Sequence, residues 1–221
     1  MEYIVNRFKK LLVEENEVQN LVSRKTGIRD LDRHIEDSLQ LDRMVDIAGK
    51  SLIDIGSGAG FPALILALNH PGLAVTLVES DAKKSGFLQM VARELEVPAL
   101  EVVCQRVEEL GRNPGYREKF DICTSRAMAE LRILLEYGVP LVRVGGWLYL
   151  WKGRNWEREV EESQNALQLL GAKVERVFTY SLMEDRDRVI LGVKKLFSTA
   201  ERFIDDDFEV FLVFRFFQFF Q

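Results

Sequence analysis

The segment 51-SLIDIGSGAGFPALILAL-68 leaves this chain few folds to choose from. An apolar run rich in β-branched residues carries an acid at Asp54, Gly56, Gly58 and Gly60 follow at every second position, and a helical apolar pattern then begins. Strand, glycine turn and helix in that order make the first half of a βαβ unit. Parallel sheets bind ligands beyond the carboxyl ends of their strands, where the chain order reverses. Glycine at that edge permits positive φ and lets the backbone approach a ligand with no Cβ in the way.

The rest of the chain repeats the alternation. Strands are expected at 51–55, 74–79, 100–104, 120–124 and 146–151, with helices at 62–69, 82–96, 127–138 and 155–170 between them. Such an order means right-handed crossovers and a mostly parallel sheet. The last two strands, 173–179 and 187–195, are joined by a turn-like MEDRD that is too short for a crossover, so they pair antiparallel. Before Ser51 the pattern is helical: Tyr3, Ile4, Phe8, Leu11 and Leu12 recur at three- and four-residue steps, and a second helix runs from about Asp30 to Met44. The expected fold is α/β, a Rossmann-like sheet with one antiparallel strand near the C-terminus and a helical extension over residues 1–47. Residues 48–196 form the sheet domain and 197–221 a Phe-rich tail.

The glycine loop reads G-x-G-x-G, with Phe61 where a dinucleotide fingerprint has its third glycine. A carboxylate two residues before the loop suits a ligand with a cationic end better than a pyrophosphate. Glu79 closes the second strand, followed by Ser80 and Asp81, and an acid there accepts both hydroxyls of a ribose. S-adenosylmethionine meets these demands; a nicotinamide cofactor and a tight turn with no ligand are the alternatives.

The residues also resemble a family. NLVSRKTGIRDLDRHIEDSL, DIGSGAGFPALILAL, ESDAKKSGFLQMVARELEV, SRAMAELRILLEY and WKG are similar, over about residues 15–195, to the motifs of the bacterial small-subunit ribosomal RNA guanine-N7 methyltransferases (RsmG, or GidB). The resemblance implies a class I methyltransferase fold, S-adenosylmethionine as cofactor and 16S ribosomal RNA, free or in the small subunit, as partner. It implies cofactor binding by Gly56, Phe61, Val107, Glu108 and Arg126, beside Asp54, Gly58, Gly60 and Glu79 from the reading above. Three features depart from the family pattern: the second-strand acid is Glu79 where the family often has Asp, DRD at 185–187 stands where the family has E-R-H, and the ending is phenylalanine-rich instead of basic.

Guanine N7 carries a lone pair and no proton, so its methylation needs no general base. The residues sought are those that hold the base: Arg126, Lys152, Arg154, Arg33 and His34, as donors to guanine O6 or as stacking planes. Lys83 and Lys84 are candidate phosphate contacts. Arg24, Lys25, Arg29, Arg33 and His34 cluster before the loop, and Lys152, Arg154 and Arg158 follow the fifth parallel strand, a basic rim on a chain of formal net charge -5. The other functions compatible with the sequence are methylation of another RNA, a protein or a small molecule, and a non-catalytic cofactor-sensing interaction protein.

Cys104 and Cys123, the two cysteines, both lie in strand-like runs and read as buried, reduced thiols in a cytoplasmic protein. No metal-ligand spacing is present, and no transmembrane segment is expected. In 208-FEVFLVFRFFQFFQ-221 seven phenylalanines occupy fourteen residues. Packing against the domain or a second subunit is the expected use of such a tail, with membrane-surface contact as the alternative. The sequence sets neither the oligomeric state nor the guanine that is modified.

Overall fold

The computed structural model of the chain describes residues 2–22, 28–182 and 187–200. Residues 201–221 of the Phe-rich tail, Arg24 and Lys25, and Asp185 and Arg186 of the DRD segment lie outside the described residues. Two helices come first, α1 (Glu2–Val18) and α2 (Ile28–Met44). Next follow β1 (Ser51–Ile55), α3 (Ala63–Asn69), β2 (Ala74–Val78), α4 (Ala82–Glu94), β3 (Leu100–Val103), α5 (Val107–Leu110) and β4 (Phe120–Arg126). The chain continues through α6 (Leu131–Gly138), β5 (Val142–Lys152), α7 (Trp156–Glu162), α8 (Gln164–Leu169), β6 (Ala172–Ser181) and β7 (Asp187–Lys195).

The strands form one sheet in the order β3-β2-β1-β4-β5-β7-β6. Strands β1 to β6 run parallel and β7, antiparallel to both its neighbours, runs against them. The order reverses between β1 and β4, so the crevice where a ligand would bind lies over the carboxyl ends of those two strands. Side chains alternate between the two faces: Leu52 and Ile122 join the core under α1 to α4, while Ile53 and Cys123 join the core under α6 and α8. Phe8, Leu12, Leu31 and Leu41 share the first of these cores with the strands, so the N-terminal helices pack as part of the sheet's cover.

Several boundaries differ from the sequence reading. The helix expected from residue 127 starts at Leu131, because Ala127 leaves β4 with φ +55 and the chain turns before Glu130 takes the position ahead of the helix. The helix expected over 155–170 is two, divided at Ser163, whose hydroxyl donates to Glu159 O at 2.6 Å. Strand β5 begins at Val142, ahead of Gly145 and Gly146, where the register with β4 shifts. Helix α5 belongs to no element of the sequence reading. Cys104 is exposed just beyond β3, in contrast to the buried thiol expected, whereas Cys123 is buried. Among the described residues no helix is long and apolar enough to cross a membrane, and no group of three or more His, Cys, Asp or Glu is placed to hold a metal ion.

The bend in β5 depends on a missing side chain. A Cβ at Gly146 would lie 2.5 Å from Val142 Cγ1 and 2.7 Å from the backbone oxygen of Asp121, and the latter belongs to the neighbouring strand. Gly146→Ala should therefore destabilise the fold by about 1–3 kcal/mol, the usual cost of overpacking. Urea denaturation checks this, and an unchanged midpoint would show that the β4–β5 register can move to accept the methyl group.

Candidate functional site

The glycine turn leaves β1 with three positive φ values, +71 at Gly56, +55 at Gly58 and +97 at Gly60. Their reasons differ. A Cβ at Gly60 would collide with Leu64, 2.7 Å away, so this glycine serves close packing of α3 on the turn. A Cβ at Gly58 would meet nothing closer than Gly56 O at 3.9 Å and would project into open space. That space is a cavity of about 410 Å³. Gly56, Ser57, Gly58 and Phe61 line it from the turn, Glu79, Ser80 and Lys84 from the end of β2 and α4, and His34 from α2. Arg126, Ala127 and Met128 complete the wall beyond β4, with Leu21 and Val22 at its edge.

Glu79 binds the turn to the second strand. Its Oε2 accepts from Gly58 N at 2.9 Å and its Oε1 from Asp81 N at 2.9 Å. Each carboxylate oxygen keeps a further lone pair, so the acid can hold the loop and still accept from a ligand. Asp81 in turn caps α4, accepting from Lys83 N at 2.8 Å and Lys84 N at 3.2 Å, and these bonds hold its carboxyl below the ordinary range.

Asp54 sits beneath the turn, apart from the cavity wall. It is 1% exposed, and its Oδ1 accepts from Thr124 Oγ1 at 2.6 Å across the β1–β4 pairing, while Oδ2 has no partner among the described residues. Burial pushes its carboxyl up to about 7, opposed by the Thr124 hydrogen bond.

Arg126 ends β4 at the cavity. Its Nη1 donates to Asp37 Oδ2 at 3.0 Å and to His34 O at 3.4 Å, and its guanidinium lies 5.0 Å from the centre of the Phe61 ring. The His34 ring packs on the same Phe61 at 5.3 Å. Burial lowers the pKa of both His34 and Arg126; the charge of Arg126 adds to the effect on His34, and Asp37 offsets the effect on Arg126. Asp37 is 2% exposed and also accepts from Tyr180 Oη at 2.6 Å, and its backbone oxygen accepts from Trp151 Nε1 at 3.1 Å.

The residues expected at the site thus divide. Gly56, Gly58, Phe61, Glu79, Arg126 and His34 are brought to one cavity, with Lys84 beside them. Val107 is buried among Ile53, Ile55 and Val78, and Glu108 accepts from Tyr137 Oη at 3.0 Å; neither lines the cavity. The Lys152 ammonium is committed to Ala129 O at 3.0 Å and to Glu159, tying β5 to α7. Arg33 is half exposed and paired with Asp30, Arg154 is exposed, and Lys83 does not line the cavity. Asp37, Tyr180 and Met128 were not expected. Asp37 follows His34 by three residues on one helix, a spacing that shares a face, and this was the available signal.

With this geometry in place, the chain can be set beside known proteins. Residues 1–189 match the family described as rRNA small subunit methyltransferase G. The ribosomal RNA small subunit methyltransferase G of Syntrophomonas wolfei is 49% identical over 203 residues, covering 92% of this chain and 94% of its own. That of Chloroflexus aggregans is 43% identical over 182 residues, covering 80% and 76%. Among solved structures, a geranyl diphosphate C-methyltransferase from Streptomyces coelicolor with bound S-adenosyl-L-homocysteine superposes with TM-score 0.60 at 14% identity, over 80% of this chain and 87% of its own. A 16S rRNA adenine-N1 methyltransferase from Catenulisporales acidiphilia gives 0.55 at 15% identity, over 74% and 92%. At these identities the structural likeness is one of fold.

Asp54 makes the site sensitive to pH. In the folded chain it keeps its proton up to about 7, whereas its ordinary value is 3.8. Between those values the folded state binds the extra proton, so stability falls as pH rises through the window, by at most about 4 kcal/mol. Asp54→Asn removes the titration. Urea midpoints measured from pH 4 to pH 7 should decline less in the variant than in the parent, and parallel profiles would count against the buried, protonated carboxyl.

Proposed function

The chain belongs to the rRNA small subunit methyltransferase G family, and from that membership we propose that it uses S-adenosylmethionine to methylate N7 of a guanine in 16S ribosomal RNA. The observation that carries the cofactor is the bare backbone of Gly58 facing the cavity beside Glu79. A cradle that a single Cβ would fill, with a carboxylate at its edge, fits a nucleoside whose ribose hydroxyls donate to Glu79. When bound, the cofactor supplies a methyl group on a sulfonium, which leaves without acid assistance.

The chain's own residues have correspondingly little proton chemistry to perform. Guanine N7 offers an unprotonated lone pair, so no side chain has to remove a proton. The work is positioning. Gly56, Gly58 and Gly60 shape the turn, Glu79 fixes the ribose, and Phe61 presents an apolar plane held between Phe8 and Arg126. His34 and Arg126 border the same cavity from α2 and β4. In this reading Arg126 holds the carboxylate end of the cofactor and shares its remaining donors with guanine O6, for both of which a planar guanidinium is suited. Val107 and Glu108, given to the adenine end by the family resemblance, would support it through the packing of α5 and the Tyr137 bond. Asp54 stands beneath the turn, and it favours the cofactor's positive charge only once it ionises, above about pH 7. Lys84, Arg33 and Arg154 contribute to a phosphate-binding rim, and a ribosomal RNA substrate is the support for a cytoplasmic protein. Helices α1 and α2, within the extension of residues 1–47, serve as a cap on the methyltransferase sheet.

Two measurements test these assignments. Mass spectrometry of 16S rRNA from a deletion strain should show one 7-methylguanosine lost; an unchanged profile would direct attention to another RNA, a protein or a small molecule. In calorimetry, Gly58→Val should abolish S-adenosylhomocysteine binding while the protein stays folded, and retained binding would overturn the cradle.

Arg126→Ala should weaken S-adenosylhomocysteine binding by about 1.5–3 kcal/mol, the value of one charge-assisted contact. Normal cofactor affinity with lost methylation would assign Arg126 to the guanine instead.

A further inference from the structure

Helix α2 is fastened to the sheet by more than is needed to hold it there. Leu31 and Leu41 are buried in the core, Asn69 Nδ2 donates to Asp42 Oδ2 at 2.8 Å, His70 bonds the other oxygen of Asp42, and Trp151 Nε1 donates to the backbone oxygen of Asp37. The side-chain carboxylate of Asp37 adds two further bonds, to Arg126 and Tyr180, at a site that is 2% exposed. Burying an ion pair costs desolvation that its attraction seldom exceeds, so an apolar contact here would dock the helix as well or better. What the charge supplies, and an apolar group could not, is orientation of a guanidinium.

We propose that Asp37, backed by the Tyr180 hydroxyl, is a positioning residue that sets the guanidinium of Arg126 between the Phe61 ring and the cofactor cavity. This rests on the methyltransferase reading above. Asp37 and Tyr180 touch neither cofactor nor base; neither lines the cavity. They act through Arg126, which does. The Asp37 carboxylate engages Nη1 alone among the described residues, which leaves Nε and Nη2 to bond a ligand in a fixed plane. The Tyr180 bond at 2.6 Å comes from the opposite side of the carboxylate and occupies Oδ1, so Oδ2 has one direction in which to face. Phe61 sets the remaining boundary: the guanidinium lies over its ring, 5.0 Å from the centre. The arrangement joins three separate segments, α2, the end of β4 and β6, at one side of the cavity.

The test is a coupling measurement on the full chain with three single variants and two doubles. Asp37→Asn keeps the shape and removes the charge, Tyr180→Phe deletes only the hydroxyl, and Arg126→Ala removes the positioned group. S-adenosylhomocysteine affinity by calorimetry and kcat/KM on unmethylated 16S rRNA are read together with the melting temperature. Asp37→Asn should reduce affinity and kcat/KM by roughly tenfold to a hundredfold, the range for one charge-assisted bond made neutral, and Tyr180→Phe by less. In the Arg126→Ala background neither substitution should reduce them further. Effects that multiply in the doubles, or an Asp37→Asn variant that melts earlier with affinity and kcat/KM intact, would overturn the proposal. If Asp37→Asn does not fold, Tyr180→Phe alone and combined with Arg126→Ala reads the same coupling. A parent protein that binds S-adenosylhomocysteine but methylates no rRNA defeats the substrate reading and leaves the coupling to be decided by affinity.

Discussion

The site depends on a single buried carboxylate. Asp37 stands at the point where α2 crosses the carboxyl ends of the strands, and through it the helix meets β4 by way of Arg126, β5 by way of Trp151 and β6 by way of Tyr180. The glycine turn, Glu79 and the residues beyond β4 wall the crevice between β1 and β4, and α2 adds His34 to that wall. The apolar face of the helix supplies the adhesion, and the polar contacts decide its alignment. Hydrophobic packing is non-directional, so a site that needs a cation at a fixed place must obtain that precision from hydrogen bonds.

A second constraint acts on the other side. The turn after β1 has positive φ at alternate residues, a shape that leaves backbone N–H groups in want of partners. Backbone oxygens of Val78 and Ser57 take Gly56 N, Ser57 N and Gly60 N, and Glu79 takes Gly58 N, so the acid that would bind a ribose also holds the loop in form, while its other oxygen accepts from Asp81 N at the head of α4. Structural and ligand-binding duties coincide there, and the carboxylate is already oriented before any ligand arrives. Preorganisation of this kind lowers the ordering cost of binding.

How much of this could be read from the residues varied with the range of the interaction. The strands were legible because runs such as SLIDI, AVTLV and FDICTSR are β-branched and bounded by glycine, proline or polar turns, which are local signals. The start of α6 was not, since Ala127 to Glu130 have helical composition and yet leave the strand through a left-handed residue. The start of β5 was hidden for the opposite reason: Gly145 and Gly146 suggest a turn and form a bend within a strand. In the site, Gly58 and Glu79 were legible because strand ends are where parallel sheets place ligands, and Arg126 because it also stands in the S-R-A block that carries the family resemblance. Val107 was assigned through resemblance, and its apolar character, which also suits a core, is what the fold uses. The partners of Arg126 escaped notice: Asp37 precedes it by 89 residues, and periodicity carries nothing over that distance.

The same separation has a temporal side. Tyr180 bonds Asp37 across 143 residues of chain. A ribosome releases the N-terminal helices, the glycine turn and Arg126 well before β6, so a nascent chain holds every cavity-lining group while still lacking the strand that completes their alignment. Loops of such length close late, since their entropy must be spent before the contact rewards it. The bond between Tyr180 and Asp37 can therefore form only near the end of synthesis, once β6 has emerged.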